Sequence, residues 1–495
     1  MKIDQFLKYH GIASNPFSEE DAQTDLVFKR KCLEHVHHPE WDKFLGSPHE
    51  PSTAVVFGEK GSGKTALRLQ ATARIDEHNA SHPDAQVFLI QYDDFNPFLD
   101  HFKTASKSTG TDVALAQWRL QDHMDAILSL GVTKLVDQLS DVKSKTELTA
   151  LTPDQRRDLL LLAAIYDATT KEPIQNRWTR LRRWSGFRPL WSRRDLQIGF
   201  GMTLLVFALI YLIPDLRTSN ILPWMILPLS TGWIYWSWRF VRAHRLASRI
   251  RKSVRVLSRD SSALAGELLW FDPSDLGGQP LPNLGAKAGS GEERFELVRK
   301  FQGVLTALNY PGVIVLVDRV DEPQQVEGDP GRMRALVWPL LDHKFLRHPG
   351  IGFKLLLPIE LAFFLDKENK EFYDKARPDK LNMIKPLRWT GASLYDLASD
   401  RLRACALIDE AGEPAKPRLR ELVDDTICDE ALEDSLAHLR TPRHLFKFLH
   451  RLIQEHCQRH TEEKPIWRIE SVTFQKVFDG YMRDLDAFDR GYGHG

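Results

Sequence analysis

The stretch GEKGSGKT, Gly58 to Thr65, constrains the fold of this chain more than any other feature of its 495 residues. It fits the pattern G-x-x-x-x-G-K-[ST] without a gap, and it lies between the apolar run TAVVF and the helix-like segment TALRLQATARIDE. Glycines at these positions let consecutive backbone N–H groups turn around phosphate groups at the start of a helix. Further apolar runs alternate with helix-like stretches along the chain. The sequence therefore predicts an α/β fold with a mostly parallel sheet, which binds its ligand at the carboxyl ends of the strands.

All eight residues of this loop are predicted to bind a nucleotide: Gly58, Glu59, Lys60, Gly61, Ser62, Gly63, Lys64 and Thr65. Lys64 is expected to place its positive charge near the β- and γ-phosphates, and the Thr65 hydroxyl to bind a magnesium ion. The loop predicts binding of ATP or GTP, and Mg-ATP is the expected ligand.

A second motif, VIVLVDRVDEP, supplies the acidic side chains that such a site needs. Its apolar run is typical of a parallel strand buried on both faces, and Asp318 follows where that strand ends. Asp318 is the predicted magnesium ligand. Glu322 and Asp321 come next, and since either could orient the attacking water, both are predicted catalytic residues. An acidic surface turn is the alternative interpretation.

Two apolar segments, about residues 196–214 and 218–238, lie between the two motifs. They contain 19 and 21 uncharged residues, which is enough to span a bilayer as helices. Residues 177–194 and 239–255 each carry seven basic side chains and no acidic one. This charge pattern predicts a two-helix hairpin in the cytoplasmic membrane, with the catalytic domain and both termini in the cytoplasm. A pair of buried helices is the alternative, and the uncharged interiors disfavour a transporter.

Other features of the sequence favour no further function. Lys plus Arg equal Asp plus Glu, at 67 each, and no helix-turn-helix or aromatic RNA-binding signature occurs, so no nucleic-acid partner is expected. The four cysteines form no Cys-x-x-Cys pair, which disfavours a structural zinc site built on them. His35, His37 and His38 form a local cluster that invites a metal interpretation, but no second cluster with suitable spacing accompanies it.

In the order of these features the chain resembles the signal-transducing (STAND) P-loop NTPases. It is especially similar to the KAP family, in which transmembrane helices are inserted between the phosphate loop and the acidic strand. The run from Asp318 to Glu322 is similar to the D-G-h-D-E pattern of the related NACHT group, with Arg319 where that group has glycine. LRTPRHLFKFLHRL, residues 439–452, resembles the helix start that supplies the sensor arginine of AAA-like lids. The resemblance implies that Arg443 is a catalytic residue near the γ-phosphate.

The same resemblance implies a membrane-anchored ATPase that hydrolyses slowly and acts as a conformational or assembly switch in signalling or defence. Its implied partners are the lipid bilayer, further copies of the chain and an unidentified protein. The stretch YHGIASNPFSEEDAQTDLVF also resembles the N-terminal segment of the membrane ATPase that assists type II secretion. A secretion or assembly ATPase, and a nucleotide-binding membrane scaffold that never hydrolyses, are therefore the alternatives.

These features divide the chain into six expected segments. Residues 1–52 are an N-terminal segment, 53–176 and 296–390 the two parts of the P-loop NTPase domain, 177–255 the membrane hairpin with its basic flanks, 256–295 a Gly- and Pro-rich linker, and 391–495 a helical lid with a C-terminal extension. The lid is expected to be mainly amphipathic helix and to close on the sheet when nucleotide binds.

Overall fold

The centre of the fold is a sheet of five parallel strands: β1 (Ala54–Gly58), β2 (Val87–Tyr92), β3 (Gly312–Val317), β4 (Ile351–Pro358) and β5 (Asn382–Ile384). The strand order is β2-β3-β4-β1-β5. The predicted α/β class with a mostly parallel sheet is confirmed. The strand that leads into GEKGSGKT is interior to the sheet, because β4 and β5 pair with β1 on either side.

The computed structural model describes residues 1–34, 36–107, 110–140, 148, 151–187, 194–212, 226–282, 291–408 and 414–489. The helices within these residues are numbered in chain order. They are α1 (Ile3–Tyr9), α2 (Trp41–Leu45), α3 (Lys64–Ser81), α4 (Asn96–Ser106), α5 (Thr111–Ala116), α6 (Leu120–Leu139), α7 (Pro153–Tyr166), α8 (Ile174–Trp184), α9 (Arg194–Leu212), α10 (Ile226–Ser253), α11 (Ser261–Leu268), α12 (Pro273–Leu276), α13 (Glu292–Ala307), α14 (Pro330–Val337), α15 (His343–Leu346), α16 (Ile359–Asp366), α17 (Lys370–Ala376), α18 (Gly391–Ala404), α19 (Leu419–Leu422), α20 (Asp429–His438), α21 (Pro442–Arg459) and α22 (Ser471–Asp489).

β1 and β4 are buried along their whole length. Their register places Ala54 opposite Lys354 and Gly58 opposite Pro358, so the two strands end at the same edge of the sheet. Strands that are apolar on both faces need cover on both faces, which is why helices separate consecutive strands. The carboxyl edge of the sheet thus carries the loop that follows Gly58 and the helix that follows Pro358.

The chain divides into two compact units. The first consists of Met1–Pro83, Leu316–Asp321 and Leu346–Gly495, and the second of Asp84–Val315 and Glu322–Phe345. The GEKGSGKT loop, Asp318, Asp321 and Arg443 all belong to the first unit. Glu322 belongs to the second.

In the first unit, the C-terminal helices α18 to α22 build a hydrophobic core that also includes the N-terminal helix α1. Phe6 and Leu7 of α1 are buried in this core with Phe448 and Phe474. Side-chain caps fix where two of the helices begin: the Thr390 hydroxyl accepts from the N–H of Ser393, and the Thr441 hydroxyl accepts from that of His444. The start of the chain is therefore part of the C-terminal helical region.

In the second unit, α6, α7 and α13 pack against one another. Gly131 permits close packing on α6, because a Cβ there would lie 2.8 Å from the Phe301 ring. A buried polar group joins all three helices. The Asp125 carboxylate accepts a hydrogen bond from the Tyr166 hydroxyl (2.8 Å) and forms an ion pair with Arg294 (3.3 Å).

The two apolar segments of the sequence contribute helices α9 and α10, which pack side by side. The Trp233 indole donates to the Thr203 hydroxyl (3.0 Å), and the same ring lies against Gly199, where a Cβ would be 3.0 Å from it. Among the residues that the structure describes, no helix is long and apolar enough to cross a membrane. Residues 213–225, which include parts of both expected spans, lie outside the described residues.

The segment expected to be a linker, residues 256–295, is only partly one. Its first half forms α11, whose Leu264 and Leu268 are buried, and a buried ion pair between Arg259 and Glu267 (2.9 Å) holds it in place. The Gly- and Pro-rich stretch that predicts a linker begins at Asp272, after α11 has ended. Residues 283–290 lie outside the described residues, and α13 begins at Glu292.

A lysine is fully buried in the central strand β4. The Lys354 ammonium donates to the Leu45 carbonyl (2.8 Å) at the end of α2, lies 3.5 Å from the Ser52 hydroxyl, and faces the Phe44 ring. Burial without an acidic partner lowers the pKa of Lys354 to about 7 from its ordinary 10.5. Lys354 thus ties the segment before β1 to the middle of β4.

The depressed pKa predicts a pH-dependent stability. Between pH 7 and pH 10.5 the unfolded chain holds a proton on Lys354 that the folded chain has released, so the stability of the fold rises with pH across this window. The unfolding free energy of the parent, relative to that of Lys354→Met, should increase from pH 7 to pH 9 by up to about 1.4 kcal/mol per pH unit. Denaturant unfolding at both pH values measures it, and a constant difference would contradict the assignment.

Candidate functional site

The loop between β1 and α3 adopts a backbone conformation that only glycine takes without strain. Gly61 and Gly63 have φ angles of +88° and +99°. The Ser62 N–H donates to the Glu59 carbonyl (3.1 Å), and helix α3 begins at Lys64. Gly61 and Gly63 have positive φ angles on either side of Ser62, and a glycine-rich loop of this kind at the start of a helix presents backbone N–H groups that bind anions.

Lys64 folds back over this loop. Its ammonium donates to the carbonyls of Gly58 (2.7 Å) and Glu59 (3.0 Å). Burial lowers the pKa of Lys64, and nearby Arg443 lowers it further, whereas Asp321, Asp318 and Glu360 act to raise it. The structure therefore brings three of the predicted site residues, Asp318, Asp321 and Arg443, within electrostatic reach of Lys64.

Asp318 is almost fully buried and already has a cationic partner. Its Oδ2 lies 3.2 Å from Nε of Arg68, one turn along α3 from Lys64. Burial raises the pKa of Asp318, and Arg68 is the largest influence in the opposite direction. Because Oδ2 is held by Arg68, a magnesium ion at this carboxylate requires either the other oxygen or the release of Arg68.

Arg319 occupies the position where the NACHT-like pattern has glycine, and its φ angle of +60° explains why glycine suits that position. The Arg319 guanidinium donates to the Gln23 side-chain carbonyl, which also accepts from Arg68 (3.3 Å). Gln23 belongs to the N-terminal segment. One amide oxygen from that segment thus joins the two arginines on either side of Asp318.

Arg443 lies directly against the phosphate-loop backbone. It is in the first turn of α21, and its N–H faces the Gly61 carbonyl at 3.4 Å. A Cβ on Gly61 would lie 2.7 Å from the Cβ of Arg443 and 3.1 Å from its Cδ. The absent side chain at position 61 is therefore what lets the C-terminal helices approach the loop.

Two further residues at this site were not predicted. The Trp389 indole N–H donates to the Ser62 carbonyl (2.9 Å), and its ring would lie 3.8 Å from a Cβ on Gly63. Glu360 is in the first turn of α16, just after β4. Glu360 could have been predicted from the sequence, since it follows a buried parallel strand by two residues, where ligand-binding side chains are common. Trp389 could not have been predicted, because it lies in an irregular connection before α18 and belongs to no motif.

The other predicted site residues are more exposed to solvent. Thr65, in the first turn of α3, is half-buried, and the loop residues Glu59 and Lys60 are exposed. Glu322 is exposed and belongs to the second unit. Of the two acids that sequence left open as the water-orienting group, Asp321 is among the largest electrostatic influences on Lys64, and Glu322 is not.

The two described histidines of EHVHHPE, His37 and His38, are engaged in contacts other than metal binding. His38 uses both ring nitrogens, since Nε2 donates to the Arg388 carbonyl (2.8 Å) and Nδ1 accepts from the Glu40 N–H (3.0 Å). His37 stacks on Trp41 with ring centroids 4.3 Å apart. His35 lies outside the described residues. The two described histidines serve packing and local hydrogen bonding.

No protein-family model matches the chain, and comparisons with curated proteins and with solved structures found no significant match.

The left-handed backbone at Arg319 predicts an unusual order of stability. Arg319→Gly and Arg319→Ala both remove the guanidinium and its contact with Gln23, but only glycine adopts φ of +60° without strain. The glycine variant should therefore be more stable than the alanine variant by about 1–2 kcal/mol, measured by denaturant unfolding of the full chain.

Position 447 is the matched control, because it is exposed and inside helix α21. There the order should reverse, with Lys447→Gly less stable than Lys447→Ala by about 1 kcal/mol. If Arg319→Gly is no more stable than Arg319→Ala while Lys447 shows the expected order, the backbone at Arg319 is not left-handed.

Proposed function

We propose that this chain is a P-loop ATPase that uses Mg-ATP as a conformational or assembly switch. The observation that carries the proposal is the loop itself, in which positive-φ Gly61 and Gly63 precede α3 and the Lys64 ammonium folds back over the loop carbonyls. The charges of Asp318, Asp321 and Arg443 act on that ammonium. A loop lysine between acidic and basic groups, with positive-φ glycines beside it, is the arrangement that phosphoryl transfer requires.

The residues divide the chemistry among them. Backbone N–H groups of the loop and the Lys64 ammonium hold the phosphates, so Lys64 exchanges its two carbonyl partners for phosphate oxygens. Thr65 and Asp318 would hold magnesium, which neutralises charge on the phosphates when bound. Asp321 accepts a proton from, or orients, the attacking water. Arg443 stabilises the negative charge that develops on the transferred group.

The switch follows from what else these residues contact. Arg443 begins a helix of the C-terminal core, and Gln23 links the N-terminal segment to Arg68 and Arg319. If magnesium displaced Arg68 from Asp318, the hydrogen bond between Arg68 and Gln23 would be disturbed as well. Occupancy of the site is thereby communicated to both ends of the chain, where association with further copies or with a partner protein would be controlled.

We also propose that the chain is attached to the membrane through the helix pair α9 and α10. Several large apolar side chains of this pair are exposed, and Leu204, Phe207 and Tyr211 are each exposed by at least 65%. Patches of this kind, next to arginine-rich segments, match the surface of an anionic membrane. The resemblance to the KAP family supports this arrangement and a role in signalling or defence; a secretion or assembly ATPase would use the same parts.

One observation favours a second function, a nucleotide-binding scaffold that does not hydrolyse. Asp318 is held in an ion pair with Arg68, so one acid of the motif already has a cationic partner. If Asp321 serves Lys64 alone, the site binds nucleotide without turnover. Binding and hydrolysis therefore have to be measured separately.

Three substitutions separate these functions. Lys64→Ala should weaken Mg-ATP binding at least about tenfold, because the charge that contacts the phosphates is lost. Asp321→Asn should retain binding and slow hydrolysis by about 10² to 10⁴, the usual contribution of a general base. Glu322→Gln is the matched control and should keep both activities. Calorimetry measures binding, and phosphate release measures turnover.

The outcomes are distinct. Binding without turnover in the parent protein, at every protein concentration, would favour the scaffold. Normal turnover in Asp321→Asn together with its loss in Glu322→Gln would assign the water-orienting role to Glu322. Equal ATP affinity of Lys64→Ala and the parent would remove the phosphate-loop assignment itself.

The membrane proposal predicts that the parent chain is recovered with membranes and needs detergent for extraction. Leu204→Lys combined with Phe207→Lys should lower the recovered fraction several-fold, because two charges are placed on the exposed apolar face of α9. Val472→Lys is the control, since Val472 is exposed by 76% but lies in α22. Complete recovery of the parent without detergent would rule out attachment.

A further inference from the structure

Three histidines from two separate stretches of the first unit come together at the C-terminal end of α3. His78 is in the last turn of that helix, His82 caps it, and His49 lies in the connection between α2 and β1. One ring nitrogen from each lies within 4.8 Å of those of the other two. Because α3 is 18 residues long, this histidine cluster is roughly 25 Å from the phosphate loop at the other end of the helix.

Hydrogen bonding fixes which nitrogen His82 offers. Its Nδ1 is 3.1 Å from the His78 carbonyl oxygen, which can only accept, so Nδ1 carries the hydrogen. The lone pair is therefore on Nε2. A metal-binding histidine typically donates its other N–H to a carbonyl or carboxylate in this way, because the contact fixes both tautomer and ring direction.

The three rings already lie against one another. The rings of His78 and His82 stack with centroids 4.4 Å apart, and the ring of His49 meets them edge-on at 4.7 and 5.2 Å. His78 is buried, so it is a rigid point of attachment, whereas His49 and His82 are exposed and can rotate. Residues four apart on a helix lie on one face, which places the ligand atoms of His78 and His82 on the same side of α3.

We propose that His49, His78 and His82 bind a divalent transition-metal ion of the zinc class. Neutral imidazole nitrogens suit zinc, copper, nickel and iron, and not magnesium or calcium, which prefer oxygen. In a tetrahedral zinc site with bonds of about 2.0–2.1 Å, the ligand nitrogens lie roughly 3.4 Å apart. The ligand nitrogens would have to close from 4.8 Å to this spacing as the ion binds, and the exposed His49 ring, which comes from a separate stretch of chain, would make most of that movement.

Bound metal would join the segment before β1 to the end of α3. His49 lies only five residues before Ala54, where β1 begins, and α3 starts at the phosphate loop. The ion would thus close a loop that contains β1, GEKGSGKT and α3. Three protein ligands leave the fourth tetrahedral position to water or another small ligand.

The test uses the full chain in detergent, purified without a polyhistidine tag and stripped of metal with a chelator. Calorimetric titration with zinc chloride should give one site per chain, and both His49→Ala and His82→Ala should weaken it at least about tenfold. Both substituted residues are exposed, and His78 is left in place to preserve the fold.

The matched control is His438→Ala. His438 is also exposed in the last turn of a helix, and its Nδ1 bonds the carbonyl of Asp434 (2.7 Å), but it is not part of the histidine cluster. This variant should bind zinc as the parent does. Zinc should raise the unfolding temperature of the parent and of His438→Ala, and not that of the two cluster variants.

Two results would overturn the proposal. One is zinc affinity that is unchanged in His49→Ala and His82→Ala, and the other is no zinc-dependent rise in the unfolding temperature of the parent. Circular dichroism of the metal-free variants separates ligand loss from misfolding. ATP binding is read independently, so failure of this site leaves the proposed ATPase untouched.

Discussion

The candidate site depends on the close approach of two backbones, at Gly61 and Arg443. A Cβ on Gly61 would lie 2.7 Å from that of Arg443, so no other residue fits at position 61 unless α21 moves. This contact joins the loop after β1 to a helix that starts more than 380 residues later in the chain. The same glycine also has a φ angle of +88°, so the backbone conformation and the close contact with Arg443 both require glycine at position 61.

Much of this arrangement was predictable because it is local in sequence. The order of strand, glycine loop and helix specifies β1 and α3, and an apolar run that ends in an acid specifies β3 and Asp318. Arg443 could be located only through resemblance, since nothing local in RTPRH indicates a neighbour near residue 61. Within the segment expected to be a linker, Leu264 and Leu268 are buried in α11, and the Gly- and Pro-rich stretch begins only after them, at Asp272.

The residues that sequence analysis missed lie in irregular segments, where no hydrophobic repeat and no motif indicates their contacts. Gln23 reaches two arginines from an irregular segment, and Trp389 bonds a single loop carbonyl. Such hydrogen bonds depend on where distant segments meet, and neither hydrophobic spacing nor a motif encodes that. The opposite shifts at Lys64 and Asp318, toward the neutral form of each, have the same origin, because burial is a property of the assembled unit.

The indole of Trp389 makes the conformation of the loop accessible to intrinsic tryptophan fluorescence. Indole emission changes with the charge and hydration around the ring, and this ring is tied by its own N–H to Ser62 while it packs beside Gly63. Rearrangement of the five residues between β1 and α3 would therefore alter the emission of Trp389, and a comparison with Trp389→Phe separates this emission from that of the other tryptophans. The conformational state of this loop can be followed in solution without attachment of a foreign dye.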